Sequence, residues 1–122
     1  MATEQTPPDW ARPVVYFSIA SPEPERQRAF YSALFNWDIG EGRIMQIPTG
    51  IGGPENGIGG HINGAATPHI ALYIQVRDLD EALERAVSLG GTKEHDPFQI
   101  PGGARIAGIT DPDGNHLVLV QQ

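Results

Sequence analysis

Cysteine is absent from the 122-residue chain. That excludes a disulfide framework, a thiolate metal site and a thiol nucleophile. Lysine and arginine are scarce, 8 together against 15 aspartates and glutamates, for a formal charge of -7. They are scattered, whereas nucleic acid and anionic membranes are bound by clustered Lys and Arg, so neither is expected as a partner. No apolar run approaches the roughly 18 residues of a membrane span. The opening Met1–Asp9 has neither the basic start nor the apolar core of a secretory signal. A cytoplasmic protein handling small molecules is the expectation.

What remains is an ordinary globular balance, 39% hydrophobic and 19% charged. A chain of this length can bury enough apolar surface for one domain without a metal or disulfide. Its 15 glycines and 11 prolines imply many turns and short elements. Residues 1–12 are polar and Pro-rich and read as a loose arm, leaving a single domain over 13–122. Val14 to Ile19 is β-branched and aromatic, a strand, and Ser21 with Pro22 or Pro24 offers helix-start chemistry. The helix should run to about Phe35, with Phe30, Ala33, Leu34 and Trp37 at the spacing of a buried stripe. Arg43 to Pro48 reads as a strand, Thr49 to Gly60 as a glycine-rich loop bordering a pocket, and His61 as part of a short strand. No helix opens after those glycines, so they do not read as a phosphate loop.

The plan then repeats. His69 to Val76 is a strand, and Asp78 with Glu81 forms the start of a helix striped by Leu79, Ala82, Leu83 and Ala86 and stopped at Gly90-Gly91. Strands are expected within 92–99, over Ala104 to Thr110, and over Leu117 to Gln121 after the turn Asp111-Pro112-Asp113-Gly114. A slide of 55 positions, which carries residue 14 onto 69, lays strand on strand and helix on helix. The chain is thus a degenerate duplication, module one at about 13–64 and module two at about 68–122. Neither half can close a core alone, so the two must form one curved sheet with the helices on its outer face, an α+β half-barrel around a cavity. Alternation puts His69, Ala71, Tyr73 and Gln75 on one face, opposite Ile70, Leu72, Ile74 and Val76, which should meet the helices. The slide matches the first set to Val14, Tyr16, Ser18 and Ala20, with Val15, Phe17 and Ile19 on the helix side. A concave face carrying Tyr, Ser, His and Gln suits a ligand cavity better than a core, which would leave them unpaired.

Phe17-Ser18-Ile19, Pro24-Glu25-Arg26, Phe30-Tyr31, Leu34-Phe35-Asn36-Trp37, Gly57-Ile58-Gly59-Gly60, Val76 to Ala82, Gly90-Gly91 and Asp111-Pro112-Asp113-Gly114-Asn115 stand in an order that resembles the vicinal oxygen chelate superfamily. That superfamily includes glyoxalase I, extradiol dioxygenases and bleomycin- and fosfomycin-resistance proteins, and the likeness is nearest to its lactoylglutathione-lyase-related branch. The resemblance implies paired β-α-β-β-β modules and a homodimer. It also implies a divalent metal held by His and Glu at four equivalent strand positions. Three of these fall at Tyr16, Ala71 and Val118, and the fourth lies near His61 to Asn63. Ala and Val cannot ligate, and a phenol of ordinary pKa is a poor ligand. No cofactor is therefore expected, with a displaced site built from His61, His69 and His116 as the alternative.

The residues expected to touch a ligand are Tyr16, Ser18, His61, His69, Tyr73, Gln75 and His116, with Tyr16 and His69 as the acid–base candidates. Three functions follow. The first is a metal-free binder of an aromatic or planar compound, of the bleomycin-resistance type. The second is a metal-free lyase, isomerase or cyclase using a pocket Tyr or His, since a neutral imidazole suits proton transfer. The third is a metal-dependent lyase or dioxygenase.

Overall fold

The computed structural model describes residues 11–48 and 57–121; most of the expected arm and of the glycine-rich loop lie outside them. The β-branched and aromatic run forms β1 (Val14–Ser21), and Ser21 Oγ accepts the Glu23 N–H at 2.9 Å where helix α1 (Pro24–Phe35) begins with a proline in its first turn. Next come β2 (Ile44–Ile47) and β3 (Gly60–Gly64), which complete the described part of module one. Module two holds β4 (His69–Gln75), α2 (Leu79–Ser88), β5 (Thr92–Lys93), β6 (Phe98–Gln99), β7 (Arg105–Thr110) and β8 (His116–Gln121). The strand expected within 92–99 is thus two separate two-residue strands, both paired with β7.

The eight strands of the described residues share one curved, unclosed sheet in the order β2-β3-β1-β4-β8-β7-β5, with β6 also on β7. Its centre is the antiparallel pair β1–β4, flanked by the parallel pairs β1–β3 and β4–β8 and then the antiparallel pairs β2–β3 and β7–β8. The sheet therefore has approximate two-fold symmetry about the β1–β4 seam. This is the duplication read from the sequence.

Each module has its own apolar core on the helix side. In module two Val76, Leu79, Leu83, Ala107, Ile109 and Leu119 pack together, with Ala82 and Ala86 beside them, so the predicted stripe of α2 is its buried face. Asp78 caps that helix, its carboxylate accepting the Glu81 N–H at 3.1 Å. Gly90, at φ 103°, lets the chain leave it. In module one Ile19, Ile39, Met45, Ile47 and Ile62 form the core, against which Phe17, Tyr31 and Trp37 lean.

Helix α1 departs from expectation. Its predicted stripe is exposed, Phe30 at 55% and Leu34 at 60%, and the helix buries no residue fully. The helix ends at Phe35, and Asn36 turns left-handed at φ 62°, donating to Ser32 O at 3.0 Å, so Trp37 is not on the helix at all. Trp37 folds back to stack on Tyr31, with ring centroids 5.5 Å apart and planes 9° from parallel. Arg28 then secures the following segment by donating to the carbonyls of Ile39 and Gly40 at 3.0 Å.

Two strand faces also need correction. Ile70 and Leu72 share the parity of Ile74 and Val76 but are 58% and 42% exposed, because they lie on the central strand where neither helix covers the outer face. Val15 was expected on the helix side and instead borders the cavity. The β1–β4 register slips between Val14↔Ile74 and Tyr16↔Tyr73, leaving Val15 as the extra residue of a β-bulge. A bulge sends two successive side chains toward one face.

Candidate functional site

A cavity of about 470 Å³ opens on the concave face and spans both modules. Its walls are apolar: Val15 and Ile44 from module one, and Ile100, Ala104, Ile106 and Val120 from module two. Four polar side chains interrupt them, Tyr16, Gln46, His61 and Tyr73. The sheet register explains why these four meet. Tyr16 on β1 stands directly opposite Tyr73 on β4, and His61 on β3 is flanked by Ser18 on β1 and Gln46 on β2.

The tyrosine rings meet edge to face with centroids 4.9 Å apart, and each also contacts the His61 ring. Tyr16 Oη lies 2.8 Å from His61 Nδ1 and 3.4 Å from Gln46 Oε1. One hydrogen lies between Oη and Nδ1. Either the phenol donates to the bare nitrogen, or Nδ1–H donates to the phenol oxygen and frees the hydroxyl proton for Gln46. Burial pushes the Tyr16 phenol above its ordinary range, opposed by the hydrogen bond to Gln46, with Tyr73 adding to the rise. Burial likewise raises Tyr73, against a hydrogen bond with Ser18. His61 moves the other way: burial lowers its pKa, against a hydrogen bond with Asn63. At neutral pH the site therefore holds two protonated phenols and a neutral imidazole.

Tyr16, His61 and Tyr73 are the ligand residues expected from the sequence that the fold brings into the cavity. Ser18 is buried beneath them and supports Tyr73. Gln75 is partly buried and its backbone N–H donates to Pro13 O at 3.0 Å; its side chain does not border the cavity. His69 and His116 also stand apart from it. Their rings lie 4.6 Å from each other, His69 Nδ1 is 3.2 Å from Thr67 O, and His116 Nδ1 is 3.1 Å from a Glu94 carboxylate oxygen. Of the two acid–base candidates, Tyr16 borders the cavity and His69 does not; the histidine beside Tyr16 is His61, and among the described residues His61, His69 and His116 do not come together as one site. Gln46 went unread, though a period-2 signal was there: on β2 it alternates with buried Met45 and Ile47, which puts it and Ile44 on the concave face. Ile100 and Ala104 carry no such signal, since they sit at the tip between β6 and β7.

The two-fold relation also fixes the fourth metal position of the resembled superfamily. Ser18 pairs with His61 as Tyr73 pairs with Val118, so His61 is the equivalent of Val118, just as Tyr16 is of Ala71. The four positions hold a phenol, an imidazole, a methyl and an isopropyl group. This donor set does not fit a divalent ion, because two of the four have no lone pair to offer. Among the described residues no group of three or more His, Asp or Glu side chains could hold one.

Residues 15–120 match the Glyoxalase-like domain, and the chain belongs to that family. It is similar to the anthracycline biosynthesis protein DnrV of Streptomyces peucetius, 40% identical over 60 residues, which are 49% of this chain and 22% of DnrV. DauV of Streptomyces sp. strain C5, also an anthracycline biosynthesis protein, is 41% identical over 58 residues, 48% of this chain and 21% of that protein. The chain spans less than half the length of these relatives. In fold it resembles a glyoxalase/bleomycin resistance protein/dioxygenase superfamily member from Vibrio splendidus 12B01, with a TM-score of 0.63 at 10% identity over 92% of this chain and 100% of that one. No helix among the described residues is long and apolar enough to cross a membrane.

Proposed function

We propose that the chain binds a planar, largely apolar small molecule in the cavity between its modules, without a metal ion. The observation that carries this is the cavity itself. At about 470 Å³ it has the size of sites that take drug-sized ligands, and its apolar walls surround a few convergent polar groups. Two phenol donors and an imidazole would orient a ligand carrying carbonyl or hydroxyl oxygens. The anthracycline context of the two curated relatives favours a fused-ring aromatic with such oxygens as the ligand class. The missing donors at Ala71 and Val118 support the metal-free reading.

Titration with 1,8-dihydroxyanthraquinone, followed by its visible absorption, tests this. Saturable binding at one molecule per chain is expected, and Ile106→Glu, which puts a carboxylate in the apolar wall, should weaken it by at least about tenfold, near 1.4 kcal/mol. Binding that does not saturate, or that ignores the Ile106 substitution, would rule out this cavity.

A homodimer belongs to the same proposal. Phe30, Leu34 and Phe35 on α1 and Ile70 and Leu72 on the central strand expose more apolar surface than scattered single residues would.

A further inference from the structure

We infer that Tyr16 and His61 form a proton-transfer pair that interconverts the keto and enol forms of a planar carbonyl ligand. The inference rests on the pocket reading above and adds chemistry to it. Its basis is geometric: Tyr16 Oη and His61 Nδ1 are 2.8 Å apart on the wall of an otherwise apolar cavity, with no carboxylate or lysine among the side chains that line it. Tyr73, edge-on to Tyr16 at 4.9 Å, and Gln46, at 3.4 Å from its hydroxyl, fix where that hydroxyl stands. A phenol backed by a neutral imidazole can give and take a proton at one oxygen atom.

The step balances without a co-reactant. The ligand C–H bond breaks and its proton passes to Tyr16 Oη, while the Tyr16 hydroxyl proton moves to His61 Nδ1. The C–H electron pair becomes the new C=C bond, and the carbonyl π pair withdraws onto oxygen. The enolate oxygen then takes the proton from Tyr16 Oη, and Nδ1 returns its own to Tyr16. One proton has migrated, and both side chains are as they began. Burial lowers the basicity of His61, so the pair suits only acidified C–H groups, those flanked by a carbonyl and by a second carbonyl or an aryl ring. Tyr16 is the catalytic residue in this scheme, and His61 is a positioning residue that acts through it.

The probe is 2-tetralone, whose C1–H lies between a carbonyl and an aryl ring, with exchange for deuterium followed by proton NMR. The planar enol isostere 2-naphthol, followed by its fluorescence, reports binding alone. The natural chain should bind 2-naphthol and accelerate exchange over buffer. Tyr16→Phe should keep 2-naphthol affinity within about tenfold and lose exchange by about 10² to 10⁴. His61→Gln should lose rate and also abolish the fall in exchange seen on acidification, which a purely structural role would leave in place. Circular dichroism confirms that both variants are folded. If 2-naphthol binds and exchange matches buffer, or if Tyr16→Phe exchanges as fast as the natural chain, the inference is overturned and the binding reading stands. If neither 2-naphthol nor 1,8-dihydroxyanthraquinone binds, both fall.

Discussion

His61 shows how much a single position can decide. In a strand read from the sequence it was one candidate among three histidines, and nothing in its neighbours said which would reach the cavity. Hydrogen-bonded registers with β1 and β2 give it Tyr16 and Gln46 as companions, while His69 and His116 meet each other instead. Its burial has a consequence for stability. The folded-state pKa lies below the ordinary 6.5, so between the two values the unfolded chain holds more protons than the folded one. Stability therefore falls as pH drops through that window. Thermal unfolding from about pH 7.5 to about pH 5 should show a smaller acid loss for His61→Gln than for the natural chain. Equal losses would mean that the ring is not withdrawn from water. Tyr16 and Tyr73 were legible earlier, because strand alternation and the slide between modules both put them on the concave face. Val15 was not, since a bulge leaves no mark in a run of β-branched residues.

Among the elements, the two helices occupy equivalent places and are used differently. On α2, Leu79 and Leu83 are buried, and the 3.6-residue period of the sequence identified them correctly. On α1 the same period pointed to Phe30 and Leu34, because the apolar spacing runs on through Trp37 and hides the break at Asn36. Periodicity reports that a helix has an apolar face, not what covers it. Leu83→Ala should lower unfolding stability by about 2–5 kcal/mol, the usual cost of emptying a packed leucine site. Leu34→Lys should change the stability of an isolated chain by no more than about 0.5 kcal/mol, yet shift a self-associating chain toward monomer in sedimentation. A dimer unmoved by Leu34→Lys would place the subunit contact elsewhere.

At the scale of the whole molecule, the duplication is retained in the backbone and abandoned in the side chains. Module one places Tyr16, His61 and Gln46 at positions where the two-fold relation puts Ala71, Val118 and Gly108 in module two. Gly108 has a reason to stay small: a Cβ there would come within 2.8 Å of His95 Nε2, which accepts the Gly108 N–H at 3.0 Å. Module one thus supplies three of the four polar groups, Tyr16, Gln46 and His61, and module two supplies Tyr73 and most of the apolar wall. Fold and family could be read from the order of the motifs along the chain. The composition of the cavity could not, because it joins residues from both modules through registers that no local pattern encodes.

The account turns on whether a planar molecule occupies this cavity rather than the exposed apolar face of α1. Nuclear Overhauser contacts from bound 1,8-dihydroxyanthraquinone separate the two directly. Contacts to the rings of Tyr16 and Tyr73 and to the methyls of Ile106 are predicted. Contacts confined to Phe30, Leu34 and Phe35 would contradict it.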